Sequence, residues 1–116
     1  MLRASRRLLR PGGWLAFHTI YPTPGLSKAA YRRAIKVGPR AVSTRRRDHR
    51  ELLATAGYVS IEIIDLTGQY RRTILDFLEH HKRLADEDRQ ADLRGSLSAL
   101  DEGLLMRSLF LGRRAE

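Results

Sequence analysis

At 116 residues the chain has room for one domain or part of one, enough to bury a core but short for a complete doubly wound enzyme. It contains no cysteine, which excludes disulfides and thiolate metal sites and makes the cytoplasm the expected location. The formal net charge is +9; no apolar run approaches the roughly 20 residues that cross a bilayer, and LRASRRLLR at 2–10 lacks the apolar centre of a secretory signal, so no membrane partner is expected.

Residues 2–9 form a short basic helix with its apolar residues at the two ends. Pro11 cannot continue it, and Gly12-Gly13 supplies positive-φ positions before the extended run WLAFHTIY at 14–21. Apolar residues at both parities of that run predict a strand covered on both faces, the habit of a strand in a parallel or mixed sheet flanked by helices. The fold class is therefore α/β. Pro22-Thr23-Pro24-Gly25 then forbids regular structure, and a loop follows the carboxyl end of the strand. Ser27 caps the next helix, with Leu26 and Tyr31 spaced for a hydrophobic staple, and Gly38-Pro39 stops it.

After the charge run Arg45-Arg46-Arg47, Asp48 and Glu51 form an aspartate variant of the capping box and open a helix at 48–56. Leu52, Leu53 and Ala56 give it an apolar face, and Gly57 suits a left-handed cap. Residues 58–66 read as an edge strand, because Val59, Ile61 and Ile63 share one face while Ser60 and Glu62 dilute the other. Thr67-Gly68 breaks that pattern. Tyr70, Ile74, Phe77, Leu78, His81 and Leu84 then recur at helical spacing. Asp86-Glu87-Asp88 interrupts the stripe, and a second helix carries Leu93, Leu97, Leu100 and Leu104, weakened by Gly95 and Gly103. The last apolar run, LMRSLFL at 105–111, is dense enough for an interior strand and is closed by Gly112.

LLRPGGWLAFHTI resembles the turn into the fifth strand of class I S-adenosylmethionine-dependent methyltransferases, ELLATAGYVSIEIIDLT their following helix and sixth strand, and LLMRSLFLGRR their seventh. The resemblance covers nearly the whole chain. It implies the carboxyl-terminal half of a Rossmann-like sheet, with three strands near 14–21, 58–66 and 105–112. The last would be antiparallel and inserted between the other two, with helices flanking the sheet. Residues 1–116 would then be a single partial domain. S-adenosylmethionine is implied for the complete family member, yet the glycine-rich turn after a strand and the ribose-holding acid that anchor it in such folds have no counterpart in the sequence. No cofactor is expected to bind this chain alone, and Met1 is either a misplaced start, the start of a truncated gene, or the true start of a protein whose other half is separate.

The candidate substrate-binding residues are His18, Thr19 and Tyr21, which lie toward the carboxyl end of the first strand, where open α/β sheets gather ligands. The plain alternative makes His18 and Tyr21 core residues with one polar tip satisfied. His49, His80 and His81 lack helical ligand spacing, so no metal site is expected. Ser108 and Asp65 have no nucleophile elbow, and no catalytic residue is assigned.

Three functions follow from these features. The first is the acceptor-side half of a methyltransferase for an unknown small-molecule acceptor, inactive in isolation. The second is a basic nucleic-acid-binding module, since residues 1–50 carry 13 of the 22 basic residues and Asp48 as their only acid. The spread of those arginines over several elements, and the core character of Trp14, Phe17 and Tyr31, argue against nucleic acid. The third is a non-catalytic partner of another methyltransferase chain. In a complete family member the strand at 14–21 would pair on its other side with a fourth strand, so the resemblance implies that its edge is bare here, and self-association through that edge is expected.

Overall fold

A computed structural model describes residues 2–39 and 48–115. The elements run α1 (Leu2–Leu8), β1 (Trp14–Pro22), α2 (Lys28–Val37), α3 (His49–Thr55), β2 (Tyr58–Asp65), α4 (Thr67–Arg83), α5 (Glu87–Asp101) and β3 (Leu105–Arg114). The strand order is β1-β3-β2, and β3 is antiparallel to both neighbours. The last strand takes the centre because it can bury side chains on both faces: Leu105, Ser108 and Phe110 are all at most 2% exposed.

Helices cover the two faces of the sheet with separate cores. On one face, Leu2 of α1 and Leu53 and Ala56 at α3 pack with Tyr21, Tyr58 and Phe110. On the other, Ala34 of α2, Ile74 and Leu78 of α4, and Leu93, Ala99 and Leu100 of α5 pack with Leu104 and Leu105. The PGG turn ties the start of β1 to the end of β3. Gly12 has φ +80° and donates its N–H to Arg114 O at 2.8 Å, while Gly13 O accepts from Arg114 N–H at 2.8 Å. Gly57, at φ +94°, ends α3 as expected, and a Cβ there would come within 2.6 Å of Arg6 Nε, so α1 rests directly on this turn.

Several local expectations change. The strand pattern ends before Thr67-Gly68, but α4 already opens at Thr67 and not at Tyr70, because Asp65 Oδ1 accepts from the Thr67 N–H at 2.8 Å and supplies the turn. The α4 stripe buries only partly, with Phe77 50% and Leu84 61% exposed. β1 is an outer strand of the described sheet, so Trp14, Ala16 and His18 remain exposed and its two faces are only partly covered. Gly95 serves a close approach, since a Cβ there would meet Val37 O at 3.1 Å where α5 crosses the end of α2. The Arg45-Arg46-Arg47 run lies outside the described residues. Among those described, no helix is long and apolar enough to cross a membrane.

Candidate functional site

The site forms where β1 runs out into the loop at 22–26. Two bonds fix that loop: the Thr23 N–H donates to Leu104 O at 3.0 Å, and the Thr23 hydroxyl donates to Gly103 O at 2.6 Å. Gly25, at φ +83°, turns the chain, and the Ser27 hydroxyl accepts from the Ala30 N–H at 3.1 Å to start α2. Across the opening, Asp48 caps α3 by accepting from the Arg50 N–H at 2.8 Å, which sets His49 at the first helical position.

Between these segments lies a cavity of about 370 Å³, with Tyr21, Tyr31, Asp48, His49, Met106 and Phe110 in its wall. Its floor is a set of aromatic contacts. The Phe110 ring is stacked between Phe17, with centroids 5.2 Å apart, and His49, at 4.8 Å. Tyr21 tilts against both His49, at 5.0 Å, and Phe110, at 5.6 Å. The Tyr21 hydroxyl lies 2.8 Å from Ser108 Oγ in a buried pair. Burial pushes the Tyr21 phenol above its ordinary value; the Ser108 bond opposes this, and the negative charges of Asp65 and Asp48 add to it. The phenol therefore stays neutral and remains a hydrogen-bonding group at physiological pH.

The structure separates the three residues expected at the site. Tyr21 lines the cavity, and Thr19 sits on the same sheet face, opposite Ser108 in the β1–β3 register, with its hydroxyl 3.4 Å from Ile20 O. His18 has the other parity and projects from the opposite face. There it is exposed, and its Nδ1 lies 3.2 Å from Arg107 Nη2, whose guanidinium is 5.3 Å from the Tyr70 ring centre. Sequence reasoning missed Asp48 and Tyr31, read as capping and staple residues, and His49, weighed only as a metal ligand. The available signal was their position at helix starts facing a loop after a strand end. A second hollow, of about 790 Å³, opens on the helical side between the end of α2, α4 and α5. It does not adjoin the strand ends.

The paired glycines precede β1, and the Gly12 N–H and Gly13 O are already bonded to Arg114, so that turn has no cradle to offer a ribose or phosphate. One glycine, Gly25, stands between β1 and α2. Among the described residues no group of three His, Asp or Glu side chains could hold a metal ion.

The sheet with its inserted antiparallel strand shares the fold of part of several solved methyltransferases. A phosphoethanolamine N-methyltransferase 2 of Haemonchus contortus, solved with phosphomonomethylethanolamine and S-adenosylhomocysteine, matches at TM-score 0.79 and 12% identity over 99% of this chain and 29% of its own. Its selenomethionine form, in complex with S-adenosyl-L-methionine, matches equally. A Galdieria sulphuraria protein assigned as a sarcosine dimethylglycine methyltransferase matches at TM-score 0.79 and 14% identity, over 98% of this chain and 46% of its own. The chain thus spans between about a third and a half of the length of these structures. No family model and no curated protein sequence matches it.

Proposed function

We propose that the chain is the acceptor-side part of an S-adenosylmethionine-dependent methyltransferase, with the cavity beside Tyr21 forming part of the methyl-acceptor pocket. The observation that carries this reading is the sheet order β1-β3-β2, with an antiparallel central strand and a cavity opening at the carboxyl end of β1. Methyl transfer depends on holding donor and acceptor in line at contact distance, so a rigid sheet end with a pinned loop suits the acceptor side. The donor would be anchored by residues outside 1–116, and this chain alone would bind no S-adenosylmethionine and transfer no methyl group.

Calorimetry with S-adenosylmethionine tests the reading on two proteins: residues 1–116, and a chain extended by the coding sequence upstream of Met1. No heat of binding to the first and saturable binding to the second are expected. Tight binding to residues 1–116 alone would overturn it.

A further inference from the structure

The end of the sheet opposite the cavity is gathered from both ends of the sequence. The Arg114 guanidinium donates to Leu9 O, and the Tyr58 hydroxyl donates to Leu2 O at 3.1 Å, so α1 lies against the start of β2 and the end of β3. Arg6 and Arg114 both place positive charge beside the Tyr58 phenol, and the Nε of each is buried without a hydrogen-bond partner. Arg3 and Arg7 share the outer face of α1, Arg10 follows in the turn, and all three are exposed. Among the described residues no ion pair joins any of these arginines to an acid. Two apolar side chains stand out beside them: Leu8 is 89% exposed at the end of α1, and Trp14 is 52% exposed at the start of β1. From this we infer that the end formed by α1, the PGG turn and Trp14 rests on an anionic lipid bilayer, with the arginines at the headgroups and Leu8 and Trp14 in the interface. The inference is independent of the methyltransferase reading.

The positive charge is local and not an average over the chain. Residues 2–39 and 103–115 contain no acid. On the neighbouring elements, Glu51 lies in the first turn of α3, nearer the cavity, and Glu62 stands opposite Leu111, inside the end of the sheet. The acids at 86–88 lie at the tip of the α4–α5 hairpin, which meets β3 at Leu105 and Arg107, toward the cavity. Even with Glu116 and the carboxyl terminus counted in full against the arginines, positive charge stays in excess. Each basic side chain near an anionic leaflet adds attraction, and a basic segment with exposed leucine and tryptophan has the composition of one that lies in an interface. The expectation of no membrane partner rests on the lack of a spanning run, which bears on crossing a bilayer and not on resting against one. Neither of the two hollows is lined by these residues, so the surface suits a plane better than a small anion. Nucleic-acid phosphates would use the arginines, yet Leu8 would stay in water.

Trp14 is the only tryptophan, so its fluorescence reports on this surface directly. Residues 1–116, at a concentration where light scattering shows a monomer, are titrated with vesicles of phosphatidylcholine containing phosphatidylserine, with vesicles of phosphatidylcholine alone, and with a single-stranded oligonucleotide. A saturable blue shift is expected with the anionic vesicles only, and added salt should weaken it. Arg7→Gln should weaken binding about fivefold and Leu8→Asp about tenfold or more, whereas Lys28→Gln, the same charge change at the start of α2 by the cavity, should leave it unchanged. All three side chains are exposed, so the fold survives each substitution. No blue shift in a folded chain, an equal shift with both kinds of vesicle, or equal losses from Arg7→Gln and Lys28→Gln would overturn the inference. Quenching of Trp14 by the oligonucleotide without a shift on vesicles would also overturn it and assign the surface to nucleic acid.

Discussion

The hydroxyls of Tyr21 and Ser108, 87 positions apart in sequence, meet at 2.8 Å beneath the cavity and form a buried pair. Ser108 is fully buried and Tyr21 is 8% exposed, so each would lose its partner with little access to water. Tyr21→Phe or Ser108→Ala alone is therefore expected to cost about 1–3 kcal/mol, mainly as the penalty of the hydroxyl left behind. The double variant should cost clearly less than the sum. Urea denaturation of the four proteins reads the coupling, and strictly additive losses would show that the pair does not act as one unit.

Much of the sheet was legible because its signals are local or compositional. LMRSLFL is apolar at both parities, and it holds the centre; YVSIEIID is diluted on one face, and it lies at the edge. The cavity was less legible because it is assembled from segments far apart in sequence. Nothing local in Asp48-His49 shows that His49 will stack on Phe110. Strand parity alone, however, separates His18 from Thr19 and Tyr21, so dividing that trio needed no coordinates. The start of α4 was also readable, since an aspartate two residues before Thr67 signals a side-chain turn.

Titration of the tyrosines gives a second prediction. Burial raises the Tyr58 phenol above 10.0 against the opposing charges of Arg6 and Arg114, and raises Tyr70 against Arg107, its bond to Ser96 and Arg89. Tyr21 shifts the same way. The folded chain thus holds these protons more tightly than the unfolded chain does. The associated stability is fully present below the unfolded value near pH 10 and is lost as pH rises through the folded values. Denaturation midpoints should fall between about pH 9 and pH 11, and Tyr70→Phe should flatten that slope. A midpoint that rises over this range would contradict the assignment.

Two arginine forks hold the end of α5. Arg33 of α2 bonds both oxygens of Glu102, at 2.9 and 3.1 Å, and Arg71 of α4 bonds both of Asp101, at 2.7 and 3.3 Å. The hydrogen bond from Arg71 holds the Asp101 carboxyl below its ordinary value, so its contribution is present at neutral pH and lost as acid protonates it. All four side chains are about half exposed, and both acids sit at the negative end of the α5 dipole. Salt should therefore erase most of what the forks contribute. Asp101→Asn is expected to lower the thermal midpoint at low ionic strength and to leave it unchanged in about 1 M salt. An equal loss at both ionic strengths would point to packing as the cause.

The two outer edges of the sheet differ in a way that bears on assembly. β2 carries a register break between Val59 and Glu62 with Ser60 at φ +51°, and the Arg50 guanidinium donates to Ile61 O at 3.3 Å. A bulge and a side chain blunt that edge. β1 pairs with β3 without a break from Trp14 to Pro22, contains no charged residue, and leaves Trp14 52% exposed at its start. An unblunted edge of nine residues is a template for another strand. Residues 1–116 are therefore expected to self-associate as concentration rises, through β1 and not β2. Trp14→Lys places a charge on the edge and should restore a monomer in light scattering, whereas Ser60→Lys should change nothing. On the methyltransferase reading proposed above, a chain extended upstream of Met1 whose added strand pairs with β1 should also give a monomer without any substitution. Stable monomers of the unmodified chain at high concentration would mean that β1 does not serve as a pairing edge.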